Sequence, residues 1–69
     1  MSIFSERLLS LREQRKLSQK EAAREIQIAN RTYQYYEAGE REPQLSVLVR
    51  IARFYGVSLD YLAGLTDTP

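Results

Sequence analysis

A polar, tyrosine-rich stretch near the middle of the chain reads Ile28-Ala29-Asn30-Arg31-Thr32-Tyr33-Gln34-Tyr35-Tyr36-Glu37-Ala38-Gly39. It contains no proline and ends on a glycine, a residue that commonly follows the last turn of a helix. Its length corresponds to a helix of about three turns. A helix that only filled a core would not carry so many hydrogen-bonding groups, so they face either water or a polar ligand such as a nucleic acid.

The length and composition of the chain limit it to one small domain, residues 1–69, with few side chains that could act in catalysis or bind a metal. A domain of this size buries only about 60% of the surface that its unfolded chain exposes. The chain contains no cysteine and no histidine, which excludes disulfides, thiolate nucleophiles and the usual zinc ligands. Its serine and threonine hydroxyls therefore have no histidine to act as a general base. No lysine or tyrosine is marked by its sequence context as a catalytic residue. We expect no enzyme activity, cofactor, metal or small-molecule ligand.

The sequence also lacks the signals of membrane insertion or export. No segment approaches the about 20 apolar residues that a membrane-spanning helix needs. The N-terminus lacks a basic region followed by a long apolar run. We therefore expect a cytoplasmic protein with no membrane partner.

Hydrophobic periodicity and capping residues predict an all-α fold, a compact bundle of five helices. The predicted helices lie at residues 3–15, 19–26 after an N-cap at Ser18, 30–38, 45–55 and 59–63 after an N-cap at Ser58, with a tight turn at 27–29. The clearest helix start is Ser18-Gln19-Lys20-Glu21, a capping box in which serine and glutamate each bond the other's backbone amide. We expect an ordered core at about 3–65 and a polar C-terminal tail at 66–69.

Charge is distributed unevenly, although the net charge is only +1. Residues 1–31 carry seven lysines and arginines against four glutamates, for +3, while residues 32–69 carry −2. A basic half of this kind can orient a domain on a phosphate backbone. Ordinary solvated helix faces account for the same charges equally well, so charge alone does not separate the two interpretations.

Three motifs follow one another along the chain: Leu17-Ser18-Gln19-Lys20-Glu21, Tyr36-Glu37-Ala38-Gly39-Glu40-Arg41-Glu42-Pro43 and Gly56-Val57-Ser58-Leu59-Asp60-Tyr61-Leu62-Ala63-Gly64. In this order and spacing they resemble the lambda-repressor-like helix-turn-helix family of Cro/repressor or Xre type, over about residues 4–65. The resemblance implies a five-helix bundle in which helices two and three form the helix-turn-helix. It also implies sequence-specific binding of double-stranded DNA, with the third helix in the major groove.

The resemblance assigns roles to the outward residues of the third helix and its surroundings. Asn30, Arg31 and Tyr35 match positions at which family members reach base edges. Asparagine suits adenine, arginine suits guanine or phosphate, and tyrosine suits a phosphate or a thymine methyl group. The residues expected to contact phosphate are Gln19, which would also brace the third helix, Thr32, Gln34 and Arg41. Lys20 is a further phosphate candidate that rests on its charge and its place beside Gln19, with no matching family position.

Other positions match structural roles. Arg12 and Glu37 correspond to a family pair that forms a partly buried salt bridge between helices one and three. An arginine fork and a carboxylate can pair there through two hydrogen bonds. The tyrosines interpreted as core residues are Tyr33, Tyr36, Tyr55 and Tyr61.

Two residues depart from the family pattern at the turn. Gln27 stands where the family usually has glycine, so either this residue takes a positive φ or the turn geometry differs. Ala29 stands where the family favours serine or threonine, and it offers no acceptor to the first amides of the third helix. That helix is therefore expected either to fray at its start or to begin at Asn30.

Two functions remain open at the level of sequence. The first is a transcriptional regulator, a repressor that occupies a palindromic DNA operator as a homodimer. The alternative is a protein-interaction module of the same fold, an antitoxin or a scaffold, with reduced DNA binding. Val47, Ile51 and Phe54 form an apolar stripe that is either a dimer face or part of the core of one chain. Residues 62–65 are a second candidate for a two-fold contact.

Overall fold

Five α-helices make up the part of the chain that the structure describes, residues 2–69 of a computed structural model. They are α1 (Ile3–Gln14), α2 (Gln19–Ile26), α3 (Asn30–Ala38), α4 (Leu45–Tyr55) and α5 (Leu59–Ala63). The all-α class and the five helices are confirmed, and α1 ends one residue earlier than predicted. Residues 2–69 contain no strand, and none of their helices is long and apolar enough to cross a membrane.

Paired capping residues fix the start of two helices. The Ser18 hydroxyl accepts from the Glu21 backbone amide at 3.0 Å, and the Glu21 carboxylate accepts from the Ser18 amide at 2.9 Å. These two bonds complete the predicted capping box and satisfy amides that the helix itself leaves free. A second capping box, not predicted from the sequence, joins Ser2 and Ser5 at the start of α1.

Helix α2 ends at Ile26 and is followed by the capping residue Gln27, whose φ of 67° lies in the left-handed region that normally favours glycine. Of the two alternatives for this position, the structure shows the positive φ. The amide of Ile28 donates to the carbonyl of Ala23 at 3.0 Å, and the amide of Gln27 donates to the carbonyl of Arg24 at 3.1 Å. These bonds close the turn and hold the strained residue in place.

All five helices contribute to one core. Ala22 and Ala23 have small side chains, so α3 can pack closely against α2 beside the turn. Tyr33 and Tyr36 are buried on the inner face of α3, as predicted, and Tyr55 is buried on α4. The complete set of buried apolar residues is Phe4, Leu8, Ala22, Ala23, Ile26, Tyr33, Tyr36, Ile51, Ala52, Tyr55 and Leu62.

The apolar stripe on α4 belongs mainly to this core. Ile51 is 0% exposed, so of the two alternatives for this residue the structure shows packing within the core of one chain. Val47 and Phe54 are half-buried and pack against the same core. In a bundle this small, α4 uses this stripe together with the buried Ala52 and Tyr55 to cover the other helices. Leu45, at the start of α4, is instead 69% exposed.

Arg7 attaches the first helix to the end of the chain. Its Nη1 group donates to the carbonyls of Tyr61 and Thr66, the latter at 2.7 Å, and its Nη2 group contacts the Asp67 carboxylate at 2.9 Å. The guanidinium also lies 4.1 Å from the centre of the Tyr61 ring. Tyr61 is half-buried rather than in the core, contrary to prediction. Part of the tail at 66–69 is thereby held against α1.

Replacing Gln27 with glycine should stabilise the domain by about 1 kcal/mol, because glycine adopts a positive φ without the steric cost of a side chain. Urea unfolding followed by circular dichroism measures the free energy of unfolding. Gln34→Gly is the matched control, since Gln34 is exposed in the interior of α3 and should lose about 1 kcal/mol on the same change. Equal effects of the two substitutions would contradict strain at Gln27.

Candidate nucleic-acid interface

Helices α2 and α3, with the turn between them, form a helix-turn-helix. The turn sets the direction of α3, which begins at Asn30. Ala29 precedes it in an extended conformation and makes no side-chain capping bond. Of the two expected outcomes, the structure shows a helix that begins at Asn30. The first side chains of α3, Asn30 and Arg31, are exposed beside this uncapped start.

The inner face of α3 carries a buried carboxylate, Glu37, whose side chain is 4% exposed. The Nε and Nη2 groups of Arg12 donate to its two oxygens at 2.7 and 3.1 Å, so the predicted salt bridge is present in bidentate form. Gln19 donates to the same carboxylate at 3.0 Å, and Arg12 also donates to the carbonyl of Leu17 at 2.9 Å. Helices α1 and α2 are therefore both attached to one side chain of α3.

Opposing effects act on the pKa of Glu37. Burial raises this pKa, but the hydrogen bonds that Arg12 and Gln19 donate to the carboxylate outweigh burial and hold it below its usual range. The pKa of Arg12 is raised, chiefly by its hydrogen bond to Glu37. Both shifts favour the charged pair, which therefore stays ionised at neutral pH.

A second polar contact connects α3 to α4. The hydroxyls of Tyr33 and Tyr55 lie 2.7 Å apart, and both side chains are buried. Burial raises the pKa of both phenols, so the pair remains neutral. Each hydroxyl has the other as a partner, which removes the cost of burying an unsatisfied polar atom in the core.

The outer face of α3 presents a separate set of side chains. Asn30, Arg31 and Gln34 are exposed, while Thr32 and Tyr35 are half-buried. At 3.6 residues per turn, most of these positions lie away from the buried face of the helix. The three residues expected to contact bases therefore share an accessible surface.

The residues expected to contact phosphate differ in accessibility. Lys20 is exposed at the start of α2, and Arg41 is exposed in the loop after α3. Neither takes part in the two salt bridges formed among residues 2–69. Gln19 is half-buried and its amide bonds Glu37, so it braces α3 from within.

Tyr35 brings two arginines of this surface together. The Arg31 Nε group donates to the Tyr35 hydroxyl at 3.0 Å, and the guanidinium carbon of Arg31 lies 5.7 Å from the ring centre. Arg41 lies over the same ring at 4.2 Å, close enough for a cation–π interaction. This contact was not predicted, because it depends on how the loop after Gly39 returns to α3.

Some basic residues of the N-terminal half have internal partners instead. Arg15 donates to the carbonyls of Phe54 and Tyr55 at 2.8 and 2.9 Å, at the C-terminal end of α4, where the helix dipole favours a cation. Arg7 and Arg12 likewise bond within the protein. The charge asymmetry of the sequence therefore overstates the charge that is available to a phosphate backbone.

The fold and the outer face of α3 together define a helix-turn-helix domain. The chain belongs to the helix-turn-helix family, whose model matches residues 8–62.

The relatives of this chain are named as transcriptional regulators. It is 45% identical over 67 residues to the uncharacterized HTH-type transcriptional regulator YobD of Bacillus subtilis (strain 168), covering 97% of this chain and 60% of YobD. It is 36% identical over 66 residues to the cryptic phage CTXphi transcriptional repressor RstR of Vibrio cholerae, covering 96% of this chain and 60% of RstR. The crystal structure of a transcriptional regulator from Listeria innocua is similar with a TM-score of 0.82 at 33% identity, covering 88% of this chain and 57% of that one. This chain thus spans somewhat more than half the length of each of these proteins.

Acid should destabilise the domain through Glu37. A carboxylate with a depressed folded pKa contributes stability that is fully present above its unfolded pKa, about 4.3, and is lost as the pH falls through the folded value. Glu37→Gln removes the titrating group, so its unfolding free energy should fall less than that of the wild type between about pH 5 and pH 2. Thermal unfolding at a series of pH values measures this difference.

Glu25→Gln is the matched control, because Glu25 is exposed on α2 and takes part in neither salt bridge of residues 2–69. This variant should keep the acid dependence of the wild type. At neutral pH, Glu37→Gln should cost about 2 kcal/mol or more, because Arg12 loses its carboxylate partner. An acid dependence of Glu37→Gln equal to that of the wild type would contradict the lowered pKa.

Proposed function

We propose that this chain is the DNA-binding part of a transcriptional regulator, a repressor that acts by occupying its operator. One observation supports this above all: α3 is fixed from within at Glu37 and exposes Asn30 and Arg31 at its start. In a helix-turn-helix, the second helix lies in the major groove and its N-terminal residues meet base edges. The exposed start of α3 is the end that would enter the groove.

The exposed side chains of α3 have the chemistry for base recognition. The amide of Asn30 can pair with two polar atoms of an adenine edge, and the guanidinium of Arg31 with two of a guanine. Tyr35 lies between Asn30 and Arg31 on one side and the loop that follows α3 on the other, where Arg41 contacts its ring. Phosphate contacts would hold the helix in register. The residues proposed for them are Gln19, Lys20, Thr32, Gln34 and Arg41.

The names of the relatives support control of transcription. RstR is named a transcriptional repressor, and YobD and the Listeria innocua protein are named transcriptional regulators. The part shared with RstR covers 96% of the length of this chain, so it includes both helices of the helix-turn-helix. DNA binding is the function that this shared part best explains. We place the protein in the cytoplasm, where a bacterial operator would be bound.

A second copy of the chain would match a palindromic operator. Two domains related by a two-fold axis place their α3 helices about 34–36 Å apart, one turn of the DNA helix. With Ile51 and Leu62 buried, the proposed contact falls on Val47, Phe54 or the exposed end of the segment 62–65, where Leu65 is 78% exposed. Sedimentation velocity at micromolar concentration distinguishes a dimer from a monomer.

Replacing Arg31 with alanine should weaken operator binding by about 1–3 kcal/mol and relax the preference for one base pair in each half-site. The operator is obtained by selecting bound duplexes from a random pool with the wild-type protein. Fluorescence anisotropy at one fixed salt concentration then gives the affinities. Arg53→Ala is the matched control, since Arg53 is exposed near the end of α4, outside the helix-turn-helix.

Equal affinities of Arg31→Ala and Arg53→Ala would contradict the proposed base contact. A linear fall in the logarithm of the affinity with the logarithm of the salt concentration would support the phosphate contacts. If the wild type selects no duplex at all, the proposed function fails, and the protein-interaction module becomes the better explanation.

A further inference from the structure

We propose that Tyr35 is a positioning residue that holds Arg31 toward a base and Arg41 toward a phosphate, an inference that rests on the proposed function. Tyr35 lies in the second half of α3, on its outer face. Two different parts of its side chain are in contact with arginines: the hydroxyl with Arg31 and the ring with Arg41. In this arrangement the tyrosine contributes to DNA binding through its neighbours.

The hydroxyl of Tyr35 is hydrogen-bonded to Arg31, which lies four residues earlier on the same side of the helix. The Arg31 Nε group donates to the tyrosine oxygen at 3.0 Å. Only the Nε hydrogen of the guanidinium is used in this contact, so both terminal Nη groups stay free. A guanine can accept from these groups through O6 and N7, so the held arginine keeps the donors that base recognition needs.

The ring of Tyr35 is in contact with Arg41, which lies in the loop that follows α3. The chain turns at Gly39, whose φ is 76°, and the amide of Glu40 donates to the carbonyl of Tyr35 at 3.0 Å. Arg41 follows directly, with its guanidinium carbon 4.2 Å from the ring centre. Because a φ of this kind favours glycine, Gly39 is what allows the loop to place a cation over the ring.

A direct contact between Tyr35 and a base would have only the hydroxyl proton and one face of the ring left to make it. The hydroxyl already accepts from Arg31, one face of the ring carries Arg41, and the residue is half-buried. Neither arginine is in a salt bridge among residues 2–69, so the positive charge of each is available to a phosphate or a base of the DNA. Long arginine side chains lose rotamer freedom on binding, and holding them beforehand reduces that loss.

Two substitutions of Tyr35 separate the contacts. Tyr35→Phe removes the hydroxyl and keeps the ring, so it should weaken binding of the selected duplex about two- to tenfold, the range of one hydrogen bond. The loss should relax the same base pair that Arg31→Ala relaxes, with an unchanged salt dependence. Tyr35→Leu removes both contacts, so its slope of log affinity against log salt should also become shallower by about 1, as for one lost phosphate contact.

A double-mutant cycle distinguishes positioning from direct contact. If Tyr35 acts through Arg31, Tyr35→Phe should have no further effect in a protein that already carries Arg31→Ala. Additive effects, or no effect of Tyr35→Phe alone, would overturn the proposal. Tyr61→Phe is the matched control, because Tyr61 is a half-buried tyrosine with Arg7 at 4.1 Å but lies on α5. Its affinity for DNA should equal that of the wild type.

Nuclear magnetic resonance of the DNA-free protein tests the contacts apart from DNA binding. The Arg31 Nε–H group should exchange with water more slowly in the wild type than in Tyr35→Phe. The ring-current shift of Arg41 should persist in Tyr35→Phe and vanish in Tyr35→Leu. If the wild type selects no duplex, the proposed function and the positioning role are both overturned. If a duplex is selected but the arginine signals are the same in all variants, only the positioning role is overturned.

Discussion

The buried charge of Glu37 constrains the rest of the structure. An ionised carboxylate that is 4% exposed is tolerated only when hydrogen bonds and an opposite charge replace the water it has lost. Those partners come from two other helices, Arg12 on α1 and Gln19 on α2. Satisfying the carboxylate therefore requires one relative arrangement of three helices. Because Glu37 lies on the inner face of α3, the same requirement also sets the direction of its outer face.

Local signals in the sequence predicted most of the fold, because each acts over a few residues. The Ser18–Glu21 box spans four residues, and it sets the start of α2 regardless of what packs nearby. The strain at Gln27 followed from a missing glycine at the turn. The sequence did not show what packs against the apolar stripe of α4. Such a stripe has the same pattern whether it is buried by its own chain or by a second chain. The core of this chain covers Ile51.

The exposure of the candidate interface residues was predictable from the sequence, but the contacts among them were not. Asn30 and Arg31 are exposed where the helical period places them. The contact between Arg41 and Tyr35 depends on the path of a loop, which no periodic pattern encodes. Arg7 is one of the seven basic residues counted in the N-terminal half, but its partners are backbone and side-chain groups at the far end of the chain. Contacts between distant segments are the part of the site that only the structure reveals.

The distance along the chain that Arg7 bridges bears on the order of folding. Its hydrogen bond to the Tyr61 carbonyl joins residues 54 apart, whereas Arg12 reaches Glu37 across 25. Loop-closure entropy grows only with the logarithm of loop length, so the longer loop costs about 0.7 kcal/mol more and changes stability little. Chain collapse nevertheless favours contacts of shorter separation first. The helix-turn-helix is therefore expected to assemble around Glu37 early, and the closure of α5 onto α1 to be the last step.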